Sequence, residues 1–149
     1  MTEVRFYHLQ GQTLEQALPK LIEKICEAGL KAVVKTSNSE VRDSLDRALW
    51  DHSSESFVPH GIEGCKAPEL QPIYLTTADD NPANATIYVS IDALDVAAIS
   101  EYDRCLFMFD GRDENIVSSA RASWKAIKEQ ELEMSYWQQR EMGGWEKKA

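Results

Sequence analysis

The feature that most constrains the fold is the alternation of short β-forming runs with amphipathic segments in the first 50 residues. Residues 3–9 and 31–36 contain the β-branched and aromatic side chains typical of strands. Between them, leucine and isoleucine recur every three or four residues, which predicts a helix with one apolar face. Strands joined by helices pair in parallel through right-handed crossovers. The pattern therefore predicts an α/β fold.

The ends of the first helix can be predicted from single residues. Thr13 is a typical N-cap, and Gln16 three positions later completes a capping box. Gly29 stands where a glycine commonly ends a helix. A second helix is expected from Ser39 to about Trp50, with its leucines directed inward.

The second half of the chain continues the pattern. Further strands are expected at 72–77, 86–91 and 104–110, with a short helix at 94–99 and a longer one from 114 to about 130. Together these elements predict a Rossmann-like three-layer α/β sandwich of about five mostly parallel strands, with helices on both faces. We expect one domain over residues 1–137, followed by a charged C-terminal tail over residues 138–149.

Charge and composition exclude several functions. The net charge of −9 argues against direct binding to nucleic acid, which requires a basic surface to replace phosphate counterions. The three cysteines form no CxxC pair, and Cys26 and Cys105 are interpreted as small buried hydrophobic residues. No signal peptide and no membrane-spanning run is apparent, so a cytoplasmic protein is expected. We also expect the protein to bind no cofactor.

An α/β sheet raises the alternative of a nucleotide-binding enzyme. The turn after the first strand has one glycine, where a dinucleotide fingerprint needs three, and no P-loop motif occurs. A polar group lies at 52–65, where a Cys65–His60 pair or a metal held by His52, His60 and Glu63 is conceivable. Neither arrangement has a known spacing, so a polar surface loop is the preferred interpretation.

Two features favour binding to other proteins. The first is an apolar group at the end of the second helix and the following loop, which comprises Trp50, Phe57, Val58 and Pro59. Aromatic side chains of this kind anchor protein interfaces, and a proline lowers the entropy lost on docking. The alternative is that Phe57 and Val58 pack beneath their own loop.

The second feature is a basic face on the last helix of an acidic chain. Arg121, Lys125 and Lys128 are spaced to share one face, which Trp124 borders, and no acidic residue occurs from 115 to 128. Such a face suits an acidic peptide with an apolar end, because arginine pairs with carboxylates and an indole packs the apolar group. The alternative is a solvated helix face with Trp124 half-buried.

These segments together resemble the chi subunit of bacterial DNA polymerase III. The resemblance rests on the Val-x-Phe-Tyr opening, on Leu-x-x-x-Leu-Trp followed by Phe-Val-Pro-His, and on Ala-Arg-x-x-aromatic-Lys at 120–125. It implies a Rossmann-like fold without catalytic activity. It also implies two partners. One is the psi subunit of the polymerase, and the surface of the chain that faces psi can also bind a repair helicase. The other is the acidic tail of single-stranded-DNA-binding protein.

The resemblance also implies roles for individual residues. Trp50 and Phe57, with Val58 and Pro59 beside them, would contact psi or the helicase. Arg121, Trp124 and Lys125 would hold the tail of single-stranded-DNA-binding protein. Val117 stands where the family has a further basic residue, and Lys128 on the same face is expected to compensate.

Overall fold

The computed structural model describes residues 2–36, 38–51, 60–62, 65–78, 80–91, 99, 101–140 and 144–148. Within these ranges strands and helices alternate along much of the chain, and four of the strands have four residues or fewer. In chain order the helices and strands are β1 (Glu3–Leu9), α1 (Leu14–Glu27), β2 (Ala32–Lys35), α2 (Ser39–Asp51), β3 (Gly61–Ile62), β4 (Ile73–Thr76), β5 (Ile87–Ile91), β6 (Arg104–Asp110), α3 (Glu114–Lys128), β7 (Glu133–Gln139) and β8 (Trp145–Lys147).

The described strands form one sheet in the order β3-β4-β2-β5-β6-β1-β7-β8. All neighbours are parallel except β7 and β8, which are antiparallel. The predicted α/β architecture with a mostly parallel sheet is therefore confirmed. The predicted number of strands, about five, is too low, because the described residues alone form eight.

The three strands that the sequence did not reveal lack a strong apolar signal. β3 has two residues and β8 has three, which is too short for a periodic pattern. β7 is longer but only partly buried, and polar residues alternate poorly along it. The boundary predicted at residue 137 falls inside β7, and Trp145 of β8 packs edge-on against Tyr7. Residues 94–98 of the predicted short helix lie outside the described residues.

The ends of α1 follow the predicted local chemistry. The Gln16 N–H donates to the Thr13 hydroxyl, and the Gln16 side chain accepts from the Thr13 N–H, so the capping box is present. At the other end Gly29 has a φ of +74°, which only glycine adopts without strain. The N–H of Leu30 then donates to the carbonyl of Ile25, which closes a Schellman motif.

The sheet separates two apolar cores. Helices α1 and α2 cover one face, where Leu18, Ile22, Leu45 and Leu49 are almost fully buried. Helix α3 covers the other face, where an aromatic cluster includes Phe6, Phe107 and Phe109. Because strand side chains alternate between faces, β1 contributes to both cores.

The turn between β1 and α1 is closed by a side chain from β7. The backbone N–H groups of Gln10, Gly11 and Gln12 donate to Oε1 of Gln139 over 3.2, 3.0 and 3.0 Å. The Gln139 amide nitrogen in turn donates to Gln12 Oε1 over 2.6 Å. Converging backbone amides before a helix are the arrangement that nucleotide-binding α/β proteins use for phosphate. Here a neutral amide oxygen of the chain itself occupies that position.

Replacing Gln139 with alanine should destabilise the fold. Gln139 is only 4% exposed, so the substitution would remove a buried side chain and leave three partly buried backbone N–H groups without their acceptor. We expect a loss of about 2 kcal/mol in the free energy of unfolding, measured by urea denaturation. The matched control is Gln138→Ala on the same strand, which should change it by less than about 0.5 kcal/mol. Equal losses in the two variants would contradict this role for Gln139.

Candidate partner-binding surfaces

The basic face of α3 is solvent-exposed along its length. Asp113 caps the helix by accepting a hydrogen bond from the Asn115 N–H at 2.9 Å. Ala120 and Ile127 are fully buried against the sheet. Arg121, Lys125 and Lys128 are exposed, the last two in the final helical turn. We define these three residues together with Trp124 as the basic face.

Trp124 is held rigidly beside those charges. It is partly buried, and its ring meets Phe6 edge-on at a centroid distance of 5.3 Å and Tyr136 edge-on at 5.7 Å. Part of the indole thus belongs to the core, and the rest forms a fixed apolar wall next to Arg121. Val117, one turn before Arg121, is also half-buried against the same core and contributes no charge. Trp124 is therefore half-buried, as one of the two interpretations expected, and its binding role stays a prediction.

Two polar residues that sequence reasoning missed lie against this face. Nδ1 of His8 is 2.6 Å from the hydroxyl oxygen of Tyr136, although the two residues are 128 positions apart. His8 is on β1 and Tyr136 is on β7, and both are half-buried. The His8 ring fits there because residue 111 is glycine, since a Cβ at that position would lie 2.0 Å from His8 Nε2.

Arg121 links this pair electrostatically to the basic face. Burial and then the positive charge of Arg121 lower the pKa of His8 below its usual 6.5, while Asp110 opposes the shift. Burial raises the pKa of Tyr136, and the charge of Arg121 opposes that change. At neutral pH both groups are uncharged. They therefore place hydrogen-bonding atoms beside the Arg121 guanidinium and add no charge of their own.

The second predicted surface is centred on Trp50, at the end of α2. The Trp50 side chain is 59% exposed, and its ring packs edge-on against His60 at a centroid distance of 5.1 Å. His60 itself is buried, with Nε2 3.0 Å from Oδ1 of Asp46. The other large exposed apolar residue in the described ranges is Leu70, which is 73% exposed and precedes β4.

These two exposed residues lie at the same end of the sheet. Helix α2 runs back from the C-terminal end of β2 to the N-terminal end of β3, so Trp50 lies at the N-terminal ends of the parallel strands. Leu70 precedes β4, the neighbour of β3, and is therefore at that end too. We call Trp50 and Leu70 the apolar end.

Several predicted residues fall outside the described ranges. Phe57, Val58 and Pro59 do so, as do His52 and Glu63 of the conceivable metal site. Among the residues that the structure describes, no three His, Cys, Asp or Glu side chains are grouped as metal ligands would be. Over the same ranges no helix is both long and apolar enough to cross a membrane.

The basic face and the apolar end are far apart. The apolar end adjoins β3 and β4, whereas Trp124 contacts β1 and β7, so at least four strand spacings separate them. At about 4.8 Å per spacing this is about 19 Å. In addition, α2 and α3 cover opposite faces of the sheet. A partner on one surface therefore need not touch the other.

The protein is an α/β protein whose mostly parallel sheet carries these two surfaces. In the turn between β1 and α1, where nucleotide-binding α/β proteins hold phosphate, the side chain of Gln139 accepts the backbone N–H groups. A family model described as the DNA polymerase III chi subunit, HolC, matches residues 1–135. The chain belongs to this family, whose members are components of the DNA replication machinery.

Two relatives illustrate the similarity. The probable DNA polymerase III subunit chi of Rickettsia prowazekii (strain Madrid E) is 32% identical over 109 residues, which are 73% of this chain and 66% of that protein. The DNA polymerase III subunit chi of Escherichia coli (strain K12) is 30% identical over 71 residues, 43% of this chain and 48% of that protein. The alignments thus cover less than two thirds of each relative's length.

The lowered pKa of His8 predicts a pH-dependent stability. In the unfolded chain His8 gains a proton near its usual pKa of 6.5, but in the folded protein it does so only at lower pH. Acidification through this range therefore favours the unfolded state. We expect His8→Asn to lose less stability than the wild type between pH 7.5 and 5.5, measured by urea denaturation at each pH. Identical losses in the two proteins would show that His8 titrates normally.

Proposed function

We propose that this protein is a non-catalytic adaptor that joins the DNA polymerase III clamp loader, through the psi subunit, to single-stranded-DNA-binding protein. The observation that carries the proposal is the basic face, where exposed cations flank a tryptophan fixed by the core. A rigid apolar wall between charges needs little ordering on binding, which favours capture of a flexible peptide.

The basic face suits the acidic C-terminal tail of single-stranded-DNA-binding protein. Arg121 can pair with a carboxylate through two parallel hydrogen bonds, and Lys125 and Lys128 add charge along the same side. The exposed part of Trp124 would pack the apolar end of the tail. His8 and Tyr136 border Arg121 and supply hydrogen-bonding atoms for a second carboxylate oxygen.

The apolar end suits psi, or a helicase that uses the same surface. Trp50 projects from the end of α2, and its contact with His60 limits the orientations that the ring can adopt. A large, exposed and partly restrained indole is the kind of side chain that anchors protein interfaces. Phe57, Val58 and Pro59 follow it in the sequence and are proposed to complete the surface.

Binding of a single tail should be weak and should weaken further as the salt concentration rises. A short disordered peptide loses much entropy on ordering, so a dissociation constant on the order of micromolar is expected. Several tails on one oligomer of single-stranded-DNA-binding protein would raise the effective affinity. The chain's net charge of −9 disfavours direct contact with DNA, which makes a protein tail the more suitable link.

The nucleotide-enzyme alternative is disfavoured by Gln139. Its amide oxygen accepts the three backbone N–H groups that a phosphate would otherwise use at this turn. A nucleotide would have to displace a nearly buried side chain and break its bond to Gln12. A clear thermal stabilisation by one nucleotide would favour this alternative over the adaptor.

Removing Arg121 should weaken tail binding strongly. A charge-assisted hydrogen bond contributes about 1.5–3 kcal/mol, so Arg121→Ala should lower the affinity for a synthetic acidic tail peptide by about tenfold or more. Calorimetry or fluorescence anisotropy with the peptide measures the effect. Trp124→Ala should weaken binding as well, and the affinity of the wild type should fall with added salt.

The matched control is Arg47→Ala. It removes the same charge from an exposed position on α2, on the opposite face of the sheet, and should leave peptide affinity unchanged within about twofold. If Arg121→Ala and Trp124→Ala both bind the peptide like the wild type, the tail is not held at the basic face. If Arg47→Ala weakens binding equally, only the overall charge matters.

A further inference from the structure

A cavity of about 600 Å³ lies on the face of the sheet opposite to α3. Helix α1 forms one wall, and the strands β1, β6, β7 and β8 form the floor. This volume is within the range of sites that enclose small organic ligands, roughly 300–1,000 Å³. The cavity is separate from both the basic face and the apolar end.

The topology of the sheet leaves this space open. Helix α1 connects β1 to β2, and β6 and β5 lie between those two strands, so the helix must cross toward them. It therefore leads away from β7 and β8. The next helix, α2, continues in the same direction from β2 to β3, and α3 covers the other face. Among the described residues, no helix covers β7 and β8 on the α1 side.

The floor of the cavity is aromatic. Tyr7, Trp137 and Trp145 line it from three consecutive strands. The Tyr7 and Trp145 rings meet edge-on at a centroid distance of 5.2 Å, and the Trp137 indole N–H donates to the Ser135 hydroxyl over 2.9 Å. Both tryptophans are only partly buried, so ring surface remains available to a ligand. Fixed aromatic surfaces of this kind favour flat apolar groups.

Among the residues that the structure describes, the charged ones that line the cavity are all basic. They are Arg5, Lys20, Lys24 and Arg104, in a chain whose net charge is −9. Glu3, just outside, contacts both arginines, so one carboxylate serves two guanidinium groups. Lys20 and Lys24 are exposed and one turn apart on α1. The lining therefore keeps an excess of positive charge above an aromatic floor.

We propose that this cavity is a binding site for a small aromatic organic anion, such as a carboxylate or phosphate ester with a flat ring system. The rings of Tyr7, Trp137 and Trp145 would pack its apolar body. The lysines, with the guanidinium charge that Glu3 does not neutralise, would pair with its anionic group. The proposal does not depend on the adaptor function, because it uses none of the residues of the basic face or the apolar end.

The test uses two fluorescent probes that share a ring system and differ in charge. One is 1-anilinonaphthalene-8-sulfonate, an anion, and the other is the neutral N-phenyl-1-naphthylamine. The full chain should bind the sulfonate saturably at one site and more tightly than the neutral probe. The double variant Lys20→Gln/Lys24→Gln should lower the affinity for the sulfonate by at least about fivefold. The affinity for the neutral probe should change by less than about twofold.

Two further arms keep the test decisive. Charge reversal in Lys20→Glu/Lys24→Glu should weaken the sulfonate more than neutralisation does. Arg47→Gln/Lys66→Gln removes the same charge from two exposed positions that do not line the cavity and should leave sulfonate affinity unchanged. Equal affinity for both probes, or no effect of the α1 variants, would overturn the proposal. So would displacement of the sulfonate by an acidic peptide with dependence on Lys20 and Lys24, since the cavity would then be a peptide site.

Discussion

The burial of β1 on both faces is the constraint on which the rest of the structure depends. β1 pairs in parallel with β6 on one side and β7 on the other. Phe6 and His8 face α3, where they adjoin Trp124 and Tyr136, and Tyr7 faces α1 and the aromatic cavity. A shift of one residue in this register would exchange the two sets of side chains and dismantle both surfaces.

Charge is distributed unevenly over this acidic protein. Its net charge of −9 repels phosphate backbones at long range, while cations concentrate locally on α3 and around the cavity. Short-range pairing with carboxylates thus remains possible where contact with DNA is unfavourable. The proposed adaptor would benefit from that combination, because it would have to stay associated with proteins on DNA without competing for the DNA itself.

The sequence predicted what local chemistry determines. The capping box at Thr13, the apolar runs of β5 and β6, and the grouping of Arg121 with Trp124 all follow from residues close together in the chain. It did not predict β7, because a partly exposed strand near a sheet edge has a weak alternation of polar and apolar residues.

The missed parts of the surfaces come from that same strand. Tyr136 meets His8 from a position 128 residues away, and Gln139 closes a turn 127 to 129 residues away. Such pairs depend on strand order, which no local pattern in one sequence specifies. The basic face was therefore predicted as a helix stripe, and the polar pair beside it was found only in the folded protein.

Independent binding at the two proposed surfaces can be measured as a coupling free energy between their partners. The affinity of an acidic tail peptide of single-stranded-DNA-binding protein should be determined for the chain alone and for the chain saturated with psi. Surfaces on opposite faces, separated by four strand spacings, predict dissociation constants that agree within about twofold. A peptide affinity reduced by about tenfold or more in the psi complex would contradict the account.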